Sequence, residues 1–526
     1  MRWSEHAADR GPTADLCPGD ASQPPDAALN AGAALLQGAD DRTVYVVDGT
    51  PVSLSDLRAI ASFVAGALAA AGVGPGSRVL LRLSDSPELA GSLLAVFSLG
   101  AIAIPTFVQY GPDELRYRVD DAEVRAIVVE TALQAAAHEA AQGRQVAVLV
   151  LVPGGHGAVE GLQRADPVSP VAARADDLAL ILYTSGSTGK PKGTCHSHGD
   201  LLAVCDTYGA ATLALRESDV IAGAAAMPFA LGFALFFLYP LRFGCVAVLD
   251  ADKSPDRCLD HVERHRPTLL VGVATYYAML LRRLTERGAV DLTCLRGCLT
   301  GGERVTESLT ERWREQTGQV LTQFLGTTEL LGCFLGGAPG VAVAPAAIGP
   351  PVPGYEVVVR SPETHEPVAE GVPGLLSVRG PTSTKYWRRP DKQREAVSDG
   401  WNLVPDVVYL RDGLVHFVGR QDDVIKSAGF RISPTQVEEV LEQHPTVLEC
   451  ACVGARDPEG VRPEVIKACV VLRDPDVASD ELKRDLQGYV KSCAAPYLYP
   501  RIVEFVEVLP RTASGKLLRS ALRDRP

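Results

Sequence analysis

The chain has no Cys-x-x-Cys pair, no unbroken apolar run of membrane-spanning length and no excess of positive charge. Its twelve cysteines are scattered. The nearest neighbours are Cys450 and Cys452, then Cys294 and Cys298. Neither spacing suits a zinc ribbon, so each cysteine reads as a buried, reduced thiol of a cytoplasmic protein. Lys and Arg number 51 against 64 Asp and Glu, a net charge of −13. That balance excludes a broad basic face for nucleic acid or anionic lipid. An anionic small ligand would need a local cradle of donors. The most apolar stretches are Leu89–Pro105 and Val220–Leu249, the second broken by Pro228, Gly232, Pro240 and Arg242. A spanning helix needs about 20 residues with few breakers. Both stretches therefore read as helix–strand units buried on a parallel sheet, with no membrane partner. The first twenty residues lack an apolar core, so no signal peptide is expected.

What is present is a globular balance, 46% apolar and 22% charged over 526 residues, long enough for two or more structural units. Residues 1–40 are Ala-, Asp-, Gly- and Pro-rich and are expected to be loosely ordered in part. From Thr43, helical patterns alternate with short β-branched runs. Helix over Leu54–Ala71 precedes strand over Arg78–Leu83; helix over Pro87–Leu99 precedes strand over Ile102–Pro105. Further strands are expected at Ala126–Val129 and Gln145–Leu151. This is the rhythm of βαβ crossovers. After a Pro/Gly connection near 153–172, a second alternating series runs from Leu178 to about Gly340, and short strands with Gly/Pro turns follow Ile348. The last hundred residues read as a separate module. There Ser433-Pro-Thr-Gln436 predicts a capping box with proline at the first helical position. The boundary falls near 419–424.

The densest chemical signal is Leu180-Ile-Leu-Tyr-Thr-Ser-Gly-Ser-Thr-Gly-Lys-Pro-Lys-Gly193. An apolar strand runs straight into a loop of Ser185, Gly186, Ser187, Thr188 and Gly189, flanked by Thr184, Lys190 and Lys192. Glycines let backbone N–H groups converge on an anion, and hydroxyls and ammonium groups add to the cradle. A polyphosphate fits. A Gly/Ser linker would not be fused to a buried strand. A Walker loop requires Gly where Thr184 stands and Ser or Thr where Pro191 follows Lys190.

Four further segments follow in order. They are Thr300-Gly-Gly-Glu-Arg304 with Phe324-Leu-Gly-Thr-Thr-Glu329, then Val404-Pro-Asp406, then Gly419-Arg-Gln-Asp-Asp-Val-Ile-Lys-Ser-Ala-Gly-Phe-Arg-Ile-Ser433, then Pro510-Arg-Thr-Ala-Ser-Gly-Lys516. With the loop, they resemble the adenylate-forming superfamily of acyl-CoA synthetases, luciferases and peptide-synthetase adenylation domains, over roughly Thr43 to Arg523. Met227-Pro-Phe-Ala-Leu-Gly-Phe233 and Val271-Gly-Val-Ala-Thr-Tyr-Tyr-Ala-Met279 are similar to the benzoate- and 2-aminobenzoate-CoA ligase branch.

The resemblance implies an α/β fold. A large N-terminal domain of stacked αβα layers with a small β subdomain spans 41–420, after a partly ordered segment over 1–40. A small mobile α+β C-terminal domain spans 421–526. It implies ATP, Mg²⁺ and coenzyme A, and an acid–thiol ligase that turns a benzoate-like acid into acyl-AMP and then a thioester. Residues 184–190 and Lys192 would hold phosphates. Gly302, Glu303, Arg304, Phe324, Leu325, Gly326, Thr327 and Thr328 would line the nucleotide site. Leu325 stands where relatives usually carry an adenine-stacking aromatic. Thr184 and Glu329 would hold the metal, and Asp406 and Arg420 the ribose, although relatives usually show Thr-Gly before that acid. Asp422 would be the hinge, Lys426, Ser427, Gly429 and Phe430 the turn beside the CoA tunnel, and Lys516 the catalytic ammonium. Phe229, Ala230, Phe233, Tyr276, Thr300 and Gly301 would form the acyl pocket. His198 reads as structural. The alternative acceptor is a carrier-protein phosphopantetheine, and the other class of reading is a catalytically silent nucleotide-binding protein.

Overall fold

The computed structural model describes residues 28–152, 168–184, 190–288, 290–303, 305–344, 347–423, 425–427, 430–457, 464–511 and 517–523. Two compact units emerge, one of residues 1–356 with 378–402, the other of 357–377 with 403–526.

The first unit carries two sheets. One has six strands in the spatial order Ala147–Leu151, Ala126–Glu130, Arg78–Arg82, Ile102–Pro105, Leu178–Thr184 and Lys192–Ser197. All neighbours are parallel except the last pair, which is antiparallel. Strands Arg78–Arg82, Ile102–Pro105 and Ala126–Glu130 are buried over all but at most one end residue, as a parallel sheet covered on both faces requires. Helix Pro87–Ser98 shows why its segment looks membrane-like: Glu88 through Ser98 are all buried. Ser86 caps it by accepting the Leu89 N–H, with Pro87 at the first position. Among the described residues, no helix is long and apolar enough to cross a membrane.

The second sheet has eight strands, ordered Cys333–Gly336, Leu321–Gly326, Gly297–Gly301, Leu269–Gly272, Val220–Gly223, Val246–Leu249, Thr43–Val47 and Thr50–Ser53. Antiparallel hairpins close both ends of a parallel centre. Between Gly223 and Val246 the chain makes a short helix, a π-helical segment Phe233–Leu238 and helix Tyr239–Phe243. A second π segment, Cys205–Thr212, continues helix His198–Val204. Such segments are rare and cluster at functional sites.

Part of the segment expected to be loose is docked. Asn30 donates from Nδ2 to the Ser98 and Val171 carbonyls at 3.2 and 3.0 Å, and its Oδ1 accepts the Ala33 N–H to cap helix Ala31–Leu35. Residues 1–27 lie outside the described residues.

The second unit holds strand Leu414–Arg420 and most of strands Trp401–Arg411, Gly374–Arg379 and Glu356–Arg360, neighbours in that order. It also holds a three-stranded sheet of Val447–Ala455, Val465–Leu472 and Ile502–Phe505. Helices Pro434–Glu442 and Asp480–Cys493 bury Val437, Leu441, Leu486 and Val490 in one core with residues of that sheet. The predicted capping box at Ser433 does not form. Proline does occupy the first helical position, but Ser433 makes no side-chain cap; its hydroxyl bonds to the Val418 carbonyl instead. That bond ties the helix start to strand Leu414–Arg420, a tertiary contact outcompeting a local one. The chain end is tied down by Arg519, which pairs with Glu438 and donates to the Cys452 carbonyl at 2.8 Å.

Candidate active site

The strand Leu178–Thr184 and its antiparallel partner Lys192–Ser197 place Thr184 directly opposite Lys192, so the expected phosphate loop leaves and re-enters the sheet at one edge. Ser185 to Gly189 lie outside the described residues. Both ends of the loop are braced. Tyr117 donates its hydroxyl to the Pro191 carbonyl at 2.7 Å, and Lys190 Nζ stands 5.7 Å from the centroid of the Tyr117 ring. Tyr183 donates to Asp121 at 2.8 Å. Burial first, and then the Asp121 charge, push the Tyr183 pKa well up, so this phenol stays a proton donor.

A third strand-like segment, residues 384–387, lies along the outer edge of Lys192–Ser197. Thr194 bridges Tyr386, the Cys195 N–H donates to the Lys385 carbonyl at 2.7 Å, and the Trp387 N–H donates to the Gly193 carbonyl at 2.8 Å. Here the two sequence signals meet. Lys192 Nζ stands 5.0 Å from the Tyr386 ring centroid, and the Tyr386 hydroxyl donates to Glu329 Oε1 at 3.1 Å. A basic loop residue and the acid of Phe324–Glu329 thus share one tyrosine. Glu329 sits in a single 3-10 turn, Thr328–Leu330, which Thr327 Oγ1 caps by accepting the Leu330 N–H. A Thr328 backbone group bonds to His196. Burial drives the His196 pKa down to about 4, so the imidazole under the site is neutral.

A scan against family models matches residues 33–387 to the AMP-binding enzyme model and 436–516 to the AMP-binding enzyme C-terminal domain. The chain belongs to the AMP-binding enzyme family. It is 33% identical to the benzoate–CoA ligase of Thauera aromatica over 501 residues, 94% of both chains. Among solved structures, a benzoate CoA ligase from Burkholderia xenovorans LB400 superposes with TM-score 0.83 at 31% identity, covering 94% of this chain and all of that one. An anthranilate CoA ligase in complex with anthranoyl-AMP superposes with TM-score 0.86 at 29% identity, covering 96% and 98%. The mixed α/β fold with a large N-terminal and a small C-terminal domain is that of adenylate-forming enzymes.

As an AMP-binding enzyme, the chain needs a divalent-cation site beside the phosphates. The donor set fits Mg²⁺: the Thr184 hydroxyl and Glu329 carboxylate are hard oxygen ligands, and both are only half-buried. Leu325 to Glu329 form a partly open run between buried Phe324 and Leu330.

The remaining expected residues divide by place. Gly302 takes φ +80°, and the Glu303 carboxylate accepts the Thr275 N–H and hydroxyl at 3.0 and 2.9 Å. It thereby supports the start of helix Ala274–Arg287, whose N-cap, Val273, offers no side-chain bond. Arg304 lies outside the described residues. Gly301 is pressed by the Phe324 ring: a Cβ there would meet Phe324 Cε2 at 2.3 Å. Thr300 is fully buried, its hydroxyl without a partner among the described residues; Tyr276 is 7% exposed, and Phe229 is half-buried beside buried Ala230. Phe233 is wholly buried on the π segment, 5.1 Å from Phe237 between ring centroids. His198 is structural: buried, with Nδ1 accepting the Ala31 N–H at 3.1 Å.

In the second unit, Asp406 and Arg420 are cross-strand partners, with the guanidinium 3.9 Å from the carboxylate. Asp422 lies in a single 3-10 turn after Arg420, and strands Ile425–Ser427 and Phe430–Ile432 pair as a hairpin. Gly429, Lys516 and the side chains of Asp422, Lys426 and Phe430 lie outside the described residues. Sequence reasoning missed Tyr386, Lys385, Tyr117 and Asp121. The available signal was the Tyr386-Trp387 pair just before Pro390, which opens helix Pro390–Ala396.

Proposed function

We propose that this AMP-binding enzyme is an aryl-CoA ligase that activates a benzoate-like carboxylic acid with ATP and passes the acyl group to the thiol of coenzyme A. The observation that carries the reading is the convergence of Lys192 and Glu329 on Tyr386, in a chain that aligns over 94% of its length with a benzoate–CoA ligase. A silent nucleotide-binding protein has no need of this arrangement.

A free carboxylate is a poor acyl donor because its leaving group would be oxide. In the first half-reaction a carboxylate oxygen attacks the α-phosphorus of ATP, forming acyl-AMP as pyrophosphate departs. In the second, the thiol adds to the acyl carbon and AMP leaves with the carbonyl restored. Charge accumulates at phosphorus in the first step, so preorganised donors and cations supply most of the rate. Lys190 and Lys192 neutralise the departing pyrophosphate, and the 184–189 loop supplies hydroxyl and N–H donors. Mg²⁺ bound by Thr184 and Glu329 would add positive charge at the phosphates. Lys516 bridges the attacking carboxylate and the α-phosphate. Asp406 accepts from the ribose hydroxyls, next to Arg420. Phe229, Ala230, Thr300 and Gly301 line a dry slot for a flat ring, where aromatic walls favour offset stacking. Asp422 is the pivot about which residues 421–526 turn, exchanging Lys516 for the 426–430 hairpin between half-reactions. The described cysteines are all free thiols, which suits a cytoplasmic location.

The test is pyrophosphate release, trapped with hydroxylamine, across a panel of aromatic and aliphatic acids, followed by thioester formation with free CoA or a phosphopantetheinyl carrier protein. Benzoate-like acids are expected to drive release, and free CoA to be the acceptor. No release with any carboxylate would revive the silent reading; exclusive use of the carrier would change the acceptor.

A further inference from the structure

Residues 382–387 form a strap around the turn that presents Glu329. Its first end holds the turn by backbone: Thr382 Oγ1 donates to the Leu330 carbonyl at 2.8 Å, and Thr382 is itself bonded to the buried Tyr355 hydroxyl at 2.9 Å. Its other end holds the turn by side chain, through the Tyr386 hydroxyl on Glu329 Oε1. The strap is fixed along its length. The Thr384 N–H donates to Asn402 Oδ1 at 2.7 Å. Gln393 spans it, accepting the Tyr386 N–H at 2.9 Å and donating to the Thr384 carbonyl at 2.8 Å. Trp387 Nε1 donates to the Asp121 carbonyl at 3.0 Å, on the helix end that also braces Tyr183. Tyr386 is 7% exposed, so neither its ring nor its hydroxyl has room to wander.

A carboxylate on a half-buried 3-10 turn would otherwise sample several rotamers. One hydrogen bond to Oε1 selects among them and leaves Oε2, which takes no bond from the described residues, for a ligand. The same ring presents its face to Lys192, and an ammonium 5 Å from an aromatic centroid is held by the ring quadrupole. The hydroxyl and the face therefore do separate things: one aims the carboxylate, the other parks the cation. Preorganisation of this kind removes reorganisation at the moment charge develops.

We propose that Tyr386 is a positioning residue that sets the Glu329 carboxylate and the Lys192 ammonium in register for a nucleoside triphosphate carrying a divalent cation. The inference rests on the adenylate-forming reading above. It predicts that the two functions of the side chain separate on mutation. Tyr386→Phe keeps the ring and loses the hydroxyl; Tyr386→Leu loses both. The measurement is Mn²⁺ binding by electron paramagnetic resonance in the presence of a non-hydrolysable ATP analogue, with analogue affinity by calorimetry at saturating Mn²⁺. Tyr386→Phe should weaken Mn²⁺ about tenfold, the size of one hydrogen bond, with analogue affinity at saturating metal unchanged. Tyr386→Leu should match that metal loss and also weaken the analogue severalfold. Parent-like Mn²⁺ binding by a folded Tyr386→Phe overturns the proposal, as does equal loss of metal and analogue in both variants in proportion to a lowered melting temperature. A parent enzyme that binds neither Mn²⁺ nor analogue overturns the adenylating reading itself, an outcome distinct from either.

Discussion

The Lys385 ammonium stands 2.8 Å from the Asp200 carboxylate, and both side chains are largely withdrawn from water, at 21% and 6% exposure. Burial alone would raise the Asp200 pKa, but Lys385 and then His196 outweigh it and hold the pKa below the usual carboxylate range. Asp200 also completes a capping box, its carboxylate accepting the Ser197 N–H at 2.8 Å while Ser197 Oγ accepts the Asp200 N–H. The pair anchors the strap from beneath, one residue away from Tyr386.

Breaking that pair from one side strands a buried charge. Lys385→Met is expected to cost about 3 kcal/mol of unfolding free energy, since removing one partner of a buried pair typically costs about 3–5 kcal/mol. Asp200→Asn removes the charge but keeps an oxygen for the Ser197 N–H and should cost less. In Asp200→Asn, Lys385→Met should then add little. Urea unfolding of the two single variants and the double variant reads the coupling; simple additivity would show that the contact does not matter.

Acid should unfold the first unit through its buried imidazoles. Burial depresses the pKa values of His196 and His198 from 6.5 to about 4. Unfolded chains therefore bind protons that the native state refuses between pH 6.5 and 4, so stability falls as pH falls through that window. At pH 5 each histidine should cost about 2 kcal/mol relative to pH 7. Denaturant midpoints at pH 7 and 5 check the sign, and His198→Asn should flatten about half of the slope.

Gly232 lies where a side chain cannot. A Cβ there would be 1.9 Å from the Ala226 carbonyl oxygen and 2.3 Å from its carbon, backbone atoms that cannot swing aside. Gly232→Ala must displace the segment that carries Phe229 and Ala230. We expect a loss of about 2 kcal/mol together with a several-fold rise in KM for the acid and little change in KM for ATP. A KM change confined to ATP would move this segment out of the acyl pocket.

Much of the fold was legible because its signals are local. Leu54–Ala70, Pro87–Ser98 and Asp480–Cys493 are helices close to the expected bounds, each with a serine cap. The parallel strands follow from β-branched runs between them. What escaped is what depends on tertiary partners. Ser433 carries a capping pattern, yet its hydroxyl finds Val418. The carboxylate of Glu303 is taken up by Thr275, which no spacing rule predicts. Tyr386 looks like an ordinary core aromatic, and only the fold brings it 57 positions back along the chain to Glu329. The motif residues stand out in the sequence as a set through loop chemistry and order, whereas the side chains that brace Lys192 and Glu329 do not.

The central claim is that one lysine serves adenylation and not thioester transfer. Its most direct test is the pair of half-reactions in Lys516→Ala, followed separately: ATP–pyrophosphate exchange with the acid, and CoA thioester formation from supplied aryl-AMP. Exchange should fall by at least about 10²-fold, the usual cost of losing one preorganised charge donor, while thioester formation stays within a few-fold of the parent. Gly429→Trp should show the reverse. Equal loss of both half-reactions in Lys516→Ala would contradict the account.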